Sequence, residues 1–303
     1  MPLDPHVEDT QPYAFVDHRT DPPQVDASRP QRSIRRRGSL LLLAFFGALL
    51  ILLLFPGRNN VLIIGLDRAP EGTTIARSDT LILMTYRPHR PYAATLSIPR
   101  DLWVEIPGVG YNRINTAHFF AEGERSGSGP GAAMAAVEHN FGVEVHDYVS
   151  VQFTGLVRFI DALGGLPITL ENPVGKLPAG DHTLSGEQAL AFVRDRSGTD
   201  DFFRMQQGSM FVQAVLRRML KPAAWPRIPA AVFELRRSMQ SSLNILEWLR
   251  LTFTLVRVGP EGLDSHQISR EMTNAFVTQE GAQVLAPDWP LIQALVTDLF
   301  QTP

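Results

Sequence analysis

Residues 77–101 read R-S-D-T-L-I-L-M-T-Y-R-P-H-R-P-Y-A-A-T-L-S-I-P-R-D. Two short apolar runs rich in β-forming residues, 80–86 and 92–98, read as strands. Their outer ends are charged: Arg77 and Asp79 open the first, and Arg100 and Asp101 follow the second after Ser97-Ile98-Pro99. Upstream, residues 61–65 read as another strand, with Asp67 just beyond it. Downstream, 103–106 is a further strand, and Arg113-Ile114-Asn115 sits in a glycine-rich loop. Residues 132–140 and 156–163 then read as helices, the second stopped by Gly164-Gly165. Residues 148–153 and 166–170 read as strands. Ser185 followed by Gln188 resembles a capping box opening a helix through 193, and 202–220 reads as a longer amphipathic helix. Strands alternating with helices predict an α/β fold, an αβα sandwich around one central mixed sheet.

Ahead of this region, residues 40–55 form an unbroken apolar run containing one glycine. With its flanks it reaches the roughly 17–25 residues of a spanning helix. Arg32, Arg35, Arg36 and Arg37 precede it and Arg58 stands alone after it, so the positive-inside bias predicts a cytoplasmic N-terminus and an extracytoplasmic C-terminal domain. A lead of 38 residues and the run's end in Leu-Phe-Pro-Gly argue for an uncleaved signal anchor over a cleaved signal peptide. The tail holds six prolines and few large apolar residues, which predicts disorder. The expected organisation is therefore a tail, 1–38; an anchor, 39–56; a globular domain, 59–221; and, beyond the proline-punctuated 221–229, a mostly helical extension, 222–303, with one possible strand at 283–286.

Composition narrows the chemistry. The 303 residues carry a formal net charge of -3, which gives no footprint for nucleic acid. There is no cysteine, which removes disulfides, thiol nucleophiles and cysteine metal sites. Neither the G-x-x-x-x-G-K-[ST] loop, H-E-x-x-H nor the G-x-S-x-G elbow is present, and the eight histidines show no zinc spacing. What stands out instead is a set of arginines and carboxylates at strand and helix ends, Arg194, Arg196, Asp200, Asp201 and Arg204 among them. Such ends converge on one rim of an α/β sheet. Two carboxylates there suit Mg²⁺ or Mn²⁺, which takes a few protein oxygens and completes its shell with phosphates and water. Several arginines suit a diphosphate, since like charges about 4 Å apart repel by ~4 kcal/mol at an effective dielectric near 20.

The order I-I-G-x-D (63–67), R-S-D-T (77–80), L-S-I-P-R-D (96–101), R-I-N-T-A (113–117), D-A-L-G-G (161–165), L-S-G-E-Q-A-L-A-F-V-R-D-R (184–196) and D-D-F-F-R (200–204) resembles the LytR-CpsA-Psr family. The resemblance is dense over 59–220. It implies an extracytoplasmic phosphotransferase that takes a glycan carried on a polyprenyl diphosphate and moves the glycosyl phosphate to a peptidoglycan sugar hydroxyl. Its partners would be that lipid-linked glycan, peptidoglycan and the bilayer. Carried over by motif, Asp67 and Asp79 would hold Mg²⁺, and Arg77, Arg100, Arg194, Arg196 and Arg204 would grip the diphosphate. Arg113 would stand on the pocket rim, with Asp201 and Gln207 as further substrate-binding positions. Asp67 and Asp101 both qualify to take the acceptor proton. The prenyl chain needs an apolar wall, for which Val137, Phe141, Phe153, Val157 and Ile160 are candidates, and plain core packing is the competing role of each. Two departures stand out. Gln207-Gly208-Ser209 replaces an R-Q-Q block, and the stretch from Leu170 to Gly180 is short. A non-catalytic binder of the wall or lipid carrier and a lipid-diphosphate hydrolase are the alternatives.

Overall fold

A computed structural model of the chain describes residues 39, 43–48, 50–51, 57–67, 78–174, 177–194 and 201–301, with the backbone alone for 201–206 and 209. The chain divides into two units, Met1–Ala48 and Leu49–Pro303, each taken by itself. In the first, residues 43–48 are helical, with Leu43, Phe45 and Phe46 exposed. Among the described residues no helix is long and apolar enough to cross a membrane. The tail and much of the apolar run lie outside the described residues.

In chain order the second unit runs β1 (Asn59–Leu66), β2 (Ser78–Arg87), β3 (Tyr92–Ile98), β4 (Trp103–Ile106), β5 (Gly110–Arg113), α1 (Thr116–Glu124), α2 (Gly129–Phe141), β6 (Asp147–Gln152), α3 (Phe153–Ala162), β7 (Leu166–Leu170), β8 (Gly180–Leu184), α4 (Gly186–Arg194) and α5 (Asp201–Leu220). After a 3-10 turn, Pro222–Arg227, come α6 (Ile228–Arg236), β9 (Met239–Ser241), α7 (Ile245–Val258), β10 (Asp264–Gln267), β11 (Thr273–Val277), β12 (Gln283–Pro287) and α8 (Trp289–Val296).

Six strands form the central sheet in the order β10-β3-β2-β1-β6-β9. Strand β1 is antiparallel to β2 and parallel to β6, and β3 is antiparallel to β2 and parallel to β10, so the sheet is mixed. Strand β1 is apolar on both faces, as a strand covered on both sides must be. Leu62 and Ile64 join a core with Leu81, Leu83 and Leu96 of the sheet, Val137 and Phe141 of α2, and Ile292 and Val296 of α8. Val61 and Met84 belong to a second cluster with Leu251 of α7. A third core joins Phe159 and Ile160 of α3 to Phe192, Phe211 and Ala231 on the helices that follow. Truncating a side chain as fully buried as Leu62 to alanine costs about 2–5 kcal/mol.

Local signals act as expected at two helix ends. The Ser185 amide donates to the Gln188 side chain at 2.9 Å, and the Gln188 amide donates back to Ser185 Oγ at 3.3 Å, the reciprocal cap of α4. Gly164 and Gly165 have φ of 81° and 88°, a left-handed stop that other residues resist. Strand β5, helix α1 and strand β8 are absent from the sequence reading. Residues 222–301, read as mostly helical, contain α6, α7 and α8 and also four strands, two of them the outermost strands of the central sheet.

Candidate functional site

The charged ends of β1, β2 and β3 meet because of register. Leu66 pairs with Ser78 and Leu81 with Ile98, so the residue after β1 and the residue after the Pro99 turn flank the start of β2. Gly65 permits a further approach. A Cβ there would lie 2.9 Å from both the Phe153 ring and Thr80 Cβ, closer than real Cβ contacts. Phe153, the first residue of α3, therefore presses its ring against the end of β1, and Arg194 lies over that ring with its guanidinium 4.8 Å from the centroid. Ser78 is fully buried and its hydroxyl donates to the Asn115 carbonyl at 3.2 Å, fixing the loop that carries Arg113.

The result is a cavity of about 250 Å³ lined by Asp67, Asp79, Thr80, Arg100, Phe153, Val193 and Arg194. Arg194 donates to Asp67 Oδ1. Arg100 donates through Nη1 to Asp79 Oδ1 at 2.8 Å and through Nε to Asp101 Oδ2 at 3.4 Å. Arg113 Nε lies 3.2 Å from Asp101 Oδ1, and its Nη2 donates to the Gln283 carbonyl at 2.9 Å. Side-chain exposures of 22% for Arg100 and 38% for Arg194 leave these pairs open to solvent, so each contributes only about 0–1 kcal/mol. Among the described residues, Arg100, Arg113 and Arg194 are thus already paired with Asp79, Asp101 and Asp67, which relieves the repulsion expected of bare cations.

Of the residues singled out in the sequence, Asp67, Asp79, Arg100 and Arg194 come together in the cavity lining. Asp101 and Arg113 form an adjoining pair outside that lining. Arg77 and Arg196 lie outside the described residues; Asp201 and Arg204 fall on α5, where only the backbone is described. Gln207 is 1% exposed, and both its amide atoms are without a hydrogen-bond partner among the described residues. Val137 and Phe141 are wholly buried in the core under α2, so they pack the fold. Ile160 likewise sits in the α3 core, and of the proposed apolar wall only Phe153 lines the cavity. Val193 and the β12 residues Gln283 and Leu285 were not foreseen. Leu285 donates its amide to the Asp101 carbonyl at 3.0 Å. No local signal marks such a partner almost two hundred residues away.

Asp67 and Asp79 form a hard, all-oxygen donor pair facing one cavity, which fits a Mg²⁺ that draws its remaining ligands from phosphate and water. Among the described residues no group of three or more histidines, aspartates or glutamates could hold a metal by itself. The two described carboxylates fit a metal site completed by substrate and water.

A model of the LytR_cpsA_psr family matches residues 56–300. Among curated proteins, the chain is 34% identical over 163 residues to the polyisoprenyl-teichoic acid–peptidoglycan teichoic acid transferase TagU of Oceanobacillus iheyensis, covering 52% of this chain and 50% of that protein. It is 30% identical over 213 residues to the transferase of the same description, TagT, of Bacillus subtilis, covering 65% of this chain and 64% of that one. The regulatory protein MsrR of Staphylococcus aureus is 28% identical over 188 residues, 59% of this chain and 55% of MsrR. The chain thus spans about half to just under two thirds of the length of these relatives. Among solved structures, B. subtilis TagV superposes with a TM-score of 0.65 at 22% identity over 82% of this chain and 99% of that one. TagT bound to LIIa-WTA superposes with a TM-score of 0.63 at 22% identity over 81% and 92%. At those identities the structures establish the mixed α/β fold.

Proposed function

This chain belongs to the LytR_cpsA_psr family, and from that premise we propose that it is a membrane-anchored, extracytoplasmic transferase that moves a glycosyl phosphate from a polyprenyl-diphosphate-linked glycan to a peptidoglycan hydroxyl. The observation that carries the proposal is the pairing of Arg100 with Asp79 and of Arg194 with Asp67 around one open cavity. The relatives named as transferases of teichoic acid between a polyisoprenyl carrier and peptidoglycan support the substrate class. At about 250 Å³ the cavity falls below the usual 300–1,000 Å³ of a small-molecule pocket. It suits a diphosphate with part of its first sugar, and leaves the polymer outside.

Phosphoryl transfer asks the protein for position and charge neutralisation more than for covalent help. Arriving phosphate oxygens would take Arg100 and Arg194 from their carboxylates, because the guanidinium fork matches phosphate. Asp67 and Asp79, so released, are the residues that would hold Mg²⁺, which supplies Lewis-acid neutralisation of the phosphoryl oxygens. The acceptor hydroxyl oxygen bonds to the phosphorus nearer the sugar, the phosphoanhydride bond breaks, and polyprenyl monophosphate leaves. The hydroxyl proton passes to a carboxylate. Asp67 lines the cavity, and an oxygen of it that is not engaged by metal would take the proton; Asp101, which stands outside the lining beside Arg113 and holds no metal in this scheme, is the other candidate.

The test is incubation of the purified full chain with a polyprenyl-diphosphate disaccharide, peptidoglycan fragments and Mg²⁺, with products read by mass spectrometry. Glycan joined to peptidoglycan through a phosphodiester, together with polyprenyl monophosphate, is the expected result. Asp79→Asn should abolish it with an unchanged melting temperature. Free glycosyl phosphate in its place would mean hydrolysis. Binding without turnover would favour a carrier-binding role, the reading that the buried Gln207 amide at the R-Q-Q position, without a hydrogen-bond partner among the described residues, supports.

A further inference from the structure

Helix α7 is apolar on two sides. Leu251 is buried, and Trp248 and Leu255 pack inward on the sheet with Val61, Met84 and Tyr86, as a covering helix requires. The outer face is also apolar. Ile245 is 80% exposed, Leu249 49% and Val256 54%, and with the exposed Thr252 they follow the i, i+4, i+7, i+11 spacing of one helical stripe.

The stripe lies at a defined end of the sheet. Asn59, the first residue of β1, pairs with Tyr86 of β2, and its side-chain amide donates to the Tyr86 hydroxyl at 3.0 Å. Burial, the main influence, pushes that phenol above its ordinary value, with Glu247 and Arg250 of α7 and Asp147 of β6 acting on it as well. At the other end of α7, Arg257 donates to the Pro88 carbonyl at 2.7 Å, in the turn joining β2 to β3. Helix α7 therefore spans the sheet end at which β1 starts, opposite the end that carries the site. Basic side chains lie at this end: Arg257, Arg87 at the end of β2, where it sits 5.6 Å over the Tyr92 ring, and the exposed Arg90 in the turn that follows. Of the nearby carboxylates, Glu247 caps α7 through Asn244, Glu261 pairs with Arg217, Asp147 accepts from Ser242 and Asp264 pairs with His266; Glu144 and Asp298 stand exposed.

Chain length supplies the remaining constraint. The apolar run ends at Phe55 and β1 begins at Asn59. Four residue steps extend at most about 14 Å. If 40–55 crosses a membrane, this end of the sheet is held against the bilayer surface, and a tether so short gives an effective concentration on the order of mM or more. A stripe too weak to bind lipid unaided then binds it once tethered.

We infer that α7 docks on the outer surface of the membrane, with Ile245, Leu249 and Val256 in the headgroup boundary and Arg87, Arg90 and Arg257 against anionic headgroups. The inference rests on the anchor reading given under the proposed function.

The absence of cysteine makes the test direct. The full chain carrying Leu249→Cys or Val256→Cys takes one environment-sensitive fluorophore and is placed, one copy per disc, in nanodiscs of phosphatidylglycerol and phosphatidylcholine doped with shallow doxyl lipid. The control is Gln279→Cys, in the β11–β12 turn next to the strand whose Gln283 carbonyl holds Arg113. Labels at 249 and 256 should be quenched about threefold or more beyond the label at 279. Arg87→Glu with Arg90→Glu should reduce that quenching in anionic discs and leave it unchanged in pure phosphatidylcholine. Co-elution with discs but equal quenching at 249 and 279 would overturn the docking and leave the anchor standing. Failure to co-elute would overturn both. Label self-quenching confined to discs loaded with two copies would show that a second copy covers the stripe, and would also overturn the inference.

Discussion

At Arg100 one guanidinium serves two carboxylates, Asp79 at 2.8 Å and Asp101 at 3.4 Å. Lysine keeps the charge but loses the fork. Arg100→Lys should lower turnover about tenfold or more, a loss of ~1.4 kcal/mol in transition-state binding, while thermal stability moves by no more than the ~1 kcal/mol of a part-exposed pair. Steady-state kinetics and a melting curve measure the two separately. If the variant unfolds, Arg100 is structural and the assignment of the site fails. Gly65 works at the same scale by having no side chain. Gly65→Ala puts a methyl 2.9 Å from Thr80 Cβ and from the Phe153 ring, so the ring must move and take its Arg194 contact with it. The expectation is a several-fold fall in kcat with smaller loss of stability. A crystal structure of the variant with an undisturbed Arg194 would count against this coupling.

Elements with strong internal pattern were legible in the sequence, and those defined by distant partners were not. Strand β3 and strand β4 begin and end where the pattern says they do, β3 as a run buried continuously from Ala93 to Ile98 and β4 by burying alternate apolar side chains. Strand β9 has three residues, β8 reads G-D-H-T-L and β10 reads D-S-H-Q. None has an apolar period, and each is a strand only because a neighbour supplies a ladder. The site divides in the same way. Asp67, Asp79 and Arg100 were legible because each borders a strong strand. Leu285, which holds the Asp101 carbonyl, was not, because the pairing crosses 184 residues in the sequence from Asp101. The consequence is sharp for the segment after 221. It supplies both edge strands of the central sheet, the wholly buried Ile292 and Val296, and the backbone bond under Asp101. A chain ending at Lys221 should fail to give a cooperative melt, since it leaves β3 and β6 unpaired at their outer edges and opens the core under α8. Circular dichroism and limited proteolysis would show it; a truncated chain that melts cooperatively would make the segment dispensable to the fold.

On the scale of the whole molecule, the two ends of β1 separate the tasks. Its start lies four residues from the apolar run and its end abuts Asp67. Seven steps of roughly 3.3 Å put the site about 23 Å from the end covered by α7. If that end rests on the membrane, a diphosphate at the bilayer surface has to rise by a comparable height to meet Arg100 and Arg194, so the standing of the domain on the membrane governs access to its lipid-linked donor. A donor short enough to be soluble in water has no such constraint. Leu249→Asp changes an exposed residue and should alter stability by no more than about 0.5 kcal/mol. In proteoliposomes it should cut turnover of a bilayer-resident, long-prenyl donor several-fold, because a charge in the headgroup boundary lifts or tilts α7. With a soluble short-prenyl donor the same variant should match the unaltered chain. Equal loss with both donors would mean that Leu249 acts through the fold or the site, and equal retention with both would mean that the seating of α7 does not control how the lipid reaches the cavity.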